Sequence, residues 1–186
     1  MSQRTRARAI TAVGAAAVVV ALGTVTYNAS AAESSSQAQA GVENVRRPGN
    51  VPPELVPPEP VQFIGAERVV YGTQTYTCTG GKFTGPSTPE ARLVGTLGPV
   101  HHFAGPSWQS TRDKSLITAT KTAEVPKEGT IAELLLTVKT AEGTGPLAKT
   151  KYIQRLQTSD GVAPTRACTD GEKESVRYGA TYVFLG

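Results

Sequence analysis

The strongest hydrophobic pattern in the chain lies at its end. Val176, Tyr178, Ala180, Tyr182 and Phe184 recur at every second position, with Arg177, Gly179 and Thr181 between them. Period-two spacing of aromatic and β-branched residues predicts a strand. So large an apolar face predicts one that packs into the core. Thr73–Thr79 alternates in the same way, with Thr73, Thr75 and Thr77 on one face and Gln74, Tyr76 and Cys78 on the other. Strands are also expected within Val61–Tyr71, and over Ala91–Leu97, Leu116–Thr122 and Tyr152–Thr158. Gly80-Gly81, Thr84–Pro89, Pro126–Gly129 and Ser159–Gly161 punctuate these runs as turns or loops.

Residues 131–139 read both ways. Thr130 and Glu133 have the spacing of a helix capping box, and Ala-Glu-Leu-Leu-Leu is a good helix former. The apolar run is short, however, and a turn and another strand follow it closely. As a strand it places Ala132, Leu134, Leu136 and Val138 on one face, and we favour that reading. Short strands with Gly/Pro turns and little helix predict an all-β, single-domain fold, a β-sandwich or a barrel.

The start of the chain is of another kind. Arg4, Arg6 and Arg8 precede an apolar run from Ile10 to about Val25, and Ala29-Ser30-Ala31 follows. A basic start, an apolar core and small residues at −3 and −1 predict a signal peptide, 1–31, cleaved after Ala31. An uncleaved anchor is the alternative, but the run is short for a span of roughly 20 residues. No Cys lies near the site and no Arg-Arg pair precedes it, so the expectation is general secretion without a lipid anchor or lasting membrane insertion. Residues 32–60 read as a disordered Ser/Ala/Pro-rich lead. Five prolines in Val51–Pro60 favour an extended spacer. Residues 61–186 are long enough for one domain with a real core.

Charge changes meaning once the signal is set aside. The full chain carries 19 Lys+Arg against 15 Asp+Glu, a net +4. Removing three arginines and no acids leaves +1, and Arg46-Arg47 is the one basic doublet, within the lead. That is not the basic patch that nucleic-acid binding needs. Cys78 and Cys168, in an exported chain, predict one structural disulfide. In the chain-entropy account a loop that long is worth roughly 4–5 kcal/mol. A metal centre is not expected. Zinc needs three or four ligands, and the chain has two cysteines without C-x-x-C spacing and two adjacent histidines.

Chemistry concentrates in Gly98–Trp108, which holds both histidines, the only tryptophan and two Gly-Pro steps. On a strand His101 and His102 point to opposite faces, so they do not meet at one metal. Ser107, His102 and Asp113 can be written as a hydrolase triad, but Gly105-Pro-Ser107-Trp108 is not a nucleophile elbow. Trp108 is either a sugar-stacking platform or core. Arg155, mid-strand, is either an anchor for a carboxylate ligand or the internal partner of Asp113 or Asp160.

Several blocks occur together in order. They are Gly72–Cys78, His102–Gln109, Asp113–Ser115, Leu134–Leu136, Tyr152–Arg155, Thr158–Pro164, Cys168 and Tyr178–Phe184. In these the chain resembles domain-of-unknown-function family 3455, a secreted family of bacteria and fungi, over most of residues 71–185. The family tends to have Trp where Glu133 stands, and Gly where Lys114 and Asp160 stand. The resemblance singles out His102, and it implies no reaction. Some fungal members carry a malate dehydrogenase label, but no nicotinamide cofactor is expected. The nearest glycine-rich turn, Gly143–Ala148, runs on to a strand rather than a helix, and Pro146 lacks the backbone donor a pyrophosphate needs.

Two readings follow. One is a secreted, non-enzymatic β-domain, without cofactor, that binds a small molecule, glycan or cell-envelope component through His102, Trp108, Arg155 and Asp113. The other is a hydrolase-like enzyme with His102 as general base. Convergence of those four residues on one pocket is the observation that separates them.

Overall fold

A computed structural model of the chain describes residues 45–186. The expected signal peptide, and residues 32–44 of the lead, lie outside the described residues.

Nine strands follow one another: β1 (Phe63–Thr79), β2 (Lys82–Phe83), β3 (Thr88–Gly95), β4 (Val100–Phe103), β5 (Ser107–Ser110), β6 (Leu116–Val125), β7 (Glu133–Glu142), β8 (Tyr152–Asp160) and β9 (Lys173–Leu185). Each pairs antiparallel with its neighbour in the order β2-β1-β3-β4-β5-β6-β7-β8-β9, and β1 also pairs with β9. The sheet therefore closes as an eight-stranded up-and-down barrel, with β2 an added strip on the end of β1. Closure removes the free edges that an open sheet exposes.

The two segments expected at Val61–Tyr71 and Thr73–Thr79 are one long strand, β1. Its register shifts between Val69 and Tyr71 against β3, and between Arg68 and Thr73 against β9. Gly72 sits at that bend. A Cβ there would come within 2.8 Å of Tyr178 and Val69, so only glycine lets the strands approach this closely. Residues 133–142 are a strand, as favoured. Leu134, Leu136 and Val138 belong to the inner core, while Leu135 is buried on the outer side. Burial on both faces is why the Leu-Leu-Leu run shows no alternation.

The inner core fills the barrel with Trp108, Ile117, Leu136, Ile153, Tyr182 and Phe184 among others. Leu147, on the short 3-10 turn Pro146–Lys149, is 1% exposed and plugs the end where β7 passes to β8. A second core lies outside the barrel wall. Leu135, Leu156, Val183 and Leu185 are covered there by Val45 and Leu55 of the leading segment.

Residues 45–60 have the composition of a spacer, and part of the segment packs on the barrel wall. Pro53–Leu55 forms a single 3-10 turn and Leu55 is wholly buried. Gln154 Nε2 donates to the Leu55 carbonyl at 2.7 Å. Proline holds the segment extended without internal hydrogen bonds. Val51, Leu55 and Val61, interspersed among the prolines, give it an apolar side, and the outer faces of β7–β9 supply the surface it covers.

The Cys78–Cys168 disulfide is present and ties the end of β1 to the loop before β9. Two sequence departures also acquire a reason. Lys114 and Asp160, where the resembled family has glycine, have φ of 63° and 54°. The backbone there is left-handed, which glycine adopts without cost. Among the described residues no helix is long and apolar enough to cross a membrane.

Candidate functional site

Strands β4 and β5 form a tight hairpin, turned by Ala104-Gly105-Pro106. Gly105 takes a φ of 99°. His102 and Trp108 are direct cross-strand partners on the inner face. Their rings stack with centroids 4.3 Å apart and planes 6° from parallel. Tyr182 meets both edge-on, at 5.1 and 5.7 Å. His101 turns outward instead and pairs with Glu90 at 2.6 Å, as strand alternation requires.

His102 is 2% exposed. Its Nδ1 lies 2.8 Å from the Ser107 carbonyl oxygen. A carbonyl only accepts, so Nδ1 carries the hydrogen and Nε2 keeps its lone pair. Burial pushes the imidazole pKa down to about 3, against the pull of the Ser107 bond and with help from the Arg155 charge. The ring is neutral at any physiological pH.

The mouth of the barrel at this end holds a cavity of about 210 Å³. His102, Trp108, Arg155, Gln74, Lys121 and Tyr182 contribute polar or aromatic groups to its wall, and Leu134, Leu136 and Pro106 are among its apolar members. Two buried donors here have no protein partner: Trp108 Nε1 and Gln74 Nε2. Gln74 is 2% exposed, and its other amide atom, Oε1, accepts from Ser87 Oγ at 2.6 Å. Arg155 spends Nε and Nη2 on the Ala132 carbonyl, at 3.1 and 2.8 Å. Among the described residues it has no carboxylate partner. This corrects the expected pairing with Asp113 or Asp160. Lys121, at the rim, is paired with Glu124.

Three of the four expected residues, His102, Trp108 and Arg155, thus converge on one cavity. Asp113 does not. It sits in the β5–β6 turn at the opposite end of the barrel, where Oδ1 accepts from Ser115 N at 2.9 Å and Ser115 Oγ at 2.5 Å. Those bonds hold its carboxyl below the usual range. Ser107 Oγ donates to the Ala104 carbonyl at 3.0 Å, away from His102 Nε2 as nucleophile. The triad is therefore not assembled: β5 carries its serine to one end and its acid to the other. Trp108, 1% exposed, is core and not a surface platform. Among the described residues no group of three His, Cys, Asp or Glu is placed to hold a metal.

Sequence reasoning missed Gln74, Lys121 and Tyr182 as members of the site. Gln74 had a usable signal. It is the one amide on the inward face of a Thr/Tyr/Cys strand, and a polar side chain on a core-facing position asks for a partner. Tyr182 was assigned to the core, which it also joins.

Residues 87–186 match the model of a family described as a protein of unknown function, DUF3455. No curated protein and no solved structure matches the chain.

Proposed function

The chain belongs to DUF3455, a family of proteins of unknown function, and from that premise we propose that it is an exported binding protein that holds one small molecule in the mouth of its barrel. One observation carries the reading. Trp108 and Gln74 both line the cavity, and each carries a buried donor, Nε1 and Nε2, without a partner among the described residues. A buried donor without a partner costs roughly 1–3 kcal/mol. Two of them on residues that wall one space are the state expected of a site awaiting acceptors. Closed barrels of eight strands hold single small ligands in this way. The cavity is below the ~300–1,000 Å³ of drug-sized sites, which suits a metabolite rather than a polymer.

Binding is favoured over hydrolysis for reasons specific to His102. A general base works best with a pKa near the working pH, and His102 is pushed down to about 3. Its neighbouring hydroxyl, Ser107 Oγ, is turned to a carbonyl. Neither an acid to orient the ring nor an activated nucleophile completes the set.

The sole tryptophan lies in the cavity wall, so its fluorescence reports occupancy. A panel of small metabolites, read by Trp108 fluorescence and by thermal shift together, is expected to yield at least one saturable ligand. Gln74→Leu is expected to weaken that ligand at least tenfold while unfolding no more than about 1 kcal/mol below wild type, since it removes an unsatisfied donor. A panel silent in both readouts rejects the reading.

A further inference from the structure

The polar groups of the mouth are mostly donors, with the His102 Nε2 lone pair and the Ser87 and Thr88 hydroxyls as the exceptions. Trp108 Nε1 and Gln74 Nε2 can only donate. Arg155 can only donate; Nε and Nη2 meet the Ala132 carbonyl, and the guanidinium also lies against the Tyr182 hydroxyl. Lys121, at the rim, is already paired with Glu124. Among the described residues no Asp or Glu lines the cavity. Arg155 is also half-buried without a carboxylate partner among the described residues. A sheltered, uncompensated guanidinium is costly unless an anion meets it. The Gln74 amide cannot simply flip to offer its oxygen, because Oε1 is held by Ser87 Oγ at 2.6 Å. Leu134, Leu136 and Pro106 give the wall an apolar side.

We propose that the barrel mouth is a carboxylate site: it takes a small monocarboxylic acid in its ionised form, with the carboxylate against Arg155, Gln74 and Trp108 and an apolar body against Leu134 and Leu136. This rests on the reading of the mouth as a ligand site. Charge selects the ligand as well as shape. A neutral amide of the same outline brings its own N–H₂ against a wall of donors, while a carboxylate offers only acceptors. His102 takes up no proton at neutral pH and so adds no charge to this field. It remains a neutral wall carrying one acceptor, Nε2, next to the stacked indole.

Matched pairs test the class. Benzoate and benzamide, and hexanoate and hexanamide, are titrated into the full secreted protein, with benzylamine as the cationic control. Trp108 fluorescence and calorimetry are the readouts. The carboxylates are expected to bind about tenfold or more tightly than their amides, the size of a lost charge-assisted hydrogen bond. That advantage should shrink in high salt. In Arg155→Gln it should fall to about threefold or less, and Arg155→Lys should recover part of it. Gln74→Glu, which keeps an acceptor for Ser87 but sets a charge where the free donor stood, should abolish carboxylate binding. Amides or benzylamine binding as well as the carboxylates would overturn the carboxylate assignment and leave the ligand site standing. Carboxylates without effect up to about 10 mM would also overturn it, and a metabolite panel equally silent would remove the ligand site with it.

Discussion

His102 does two jobs at once, and its chemistry shows why they are compatible. It stacks on Trp108, meets Tyr182 edge-on and donates to the Ser107 carbonyl, so it is a packing residue. It also lines the cavity with its unprotonated nitrogen. His102→Ala is therefore expected to cost about 2–4 kcal/mol by chemical denaturation, from lost packing and a lost hydrogen bond. An unchanged midpoint would mean that the ring is not packed as described. Trp108→Phe separates the two roles. It keeps an aromatic partner for His102 but deletes the unpartnered N–H, so calorimetry should show weaker ligand binding in a protein that still folds. Lys114 gives a different residue-scale test. Its left-handed φ of 63° favours glycine, so Lys114→Gly should leave stability unchanged or raise it by up to about 1 kcal/mol, while Lys114→Val should lower it.

Among the elements, the leading segment is the one whose role was hidden. Residues 51–60 have the composition of a spacer, yet Leu55 is wholly buried and its 3-10 turn packs on β6 and β7. Leu55→Ala should cost about 2–5 kcal/mol, the range for deleting a fully buried leucine. A loss below about 0.5 kcal/mol in urea denaturation would show that the segment does not stay docked. The hairpin β4–β5 matters for the opposite reason. It is short, four residues a strand, but it carries the stacked pair and its turn lines the mouth. Its turn residues, Gly105 and Pro106, were legible as a turn. That its inner face opens on a cavity was not.

For the molecule as a whole, two buried titratable groups set opposite limits on stability. His102 sits near the mouth. Glu67 sits toward the other end, fully buried, with Oε1 accepting from Leu97 N at 2.5 Å and Oε2 without a partner. Burial raises the Glu67 pKa from 4.5 to about 8, with the Leu97 bond and the Arg112 charge opposing. The folded state thus holds a proton on Glu67 that the unfolded state gives up, and stability falls as pH rises from 4.5 to about 8. For His102 the pKa is lowered from 6.5 to about 3, so the unfolded state binds the extra proton, and stability falls as pH drops from 6.5 to about 3. The two slopes oppose between 4.5 and 6.5, where stability should be greatest. Urea midpoints measured from pH 4 to 9 should trace that dome, and Glu67→Gln should flatten its alkaline side. A wild-type midpoint that does not fall between pH 6.5 and 8 contradicts the burial of Glu67 as a neutral acid.

The sequence by itself determined the longer strands, their inward faces and the disulfide, because period-two alternation and turn chemistry are local; the short β2, β4 and β5 carry too few residues to show that alternation. Tyr178, Tyr182 and Phe184 announced the core-facing side of β9, and Gly143–Ala148 announced a turn rather than a phosphate cradle. It also brought His102 and Trp108 together, since the intervening Gly-Pro turn makes them near neighbours. What only the tertiary structure decided depended on contacts distant in sequence. Pairing of β1 with β9 chose a closed barrel over a sandwich. The outer faces of Leu135, Leu156, Val183 and Leu185 turned a proline-rich lead into a cover. Strand direction carried Asp113 to the end away from His102. Closure aimed Gln74 and Arg155, 81 positions apart in the chain, into the same space. No local pattern encodes that meeting, because a cavity is defined by what surrounds it and not by any one segment of its wall.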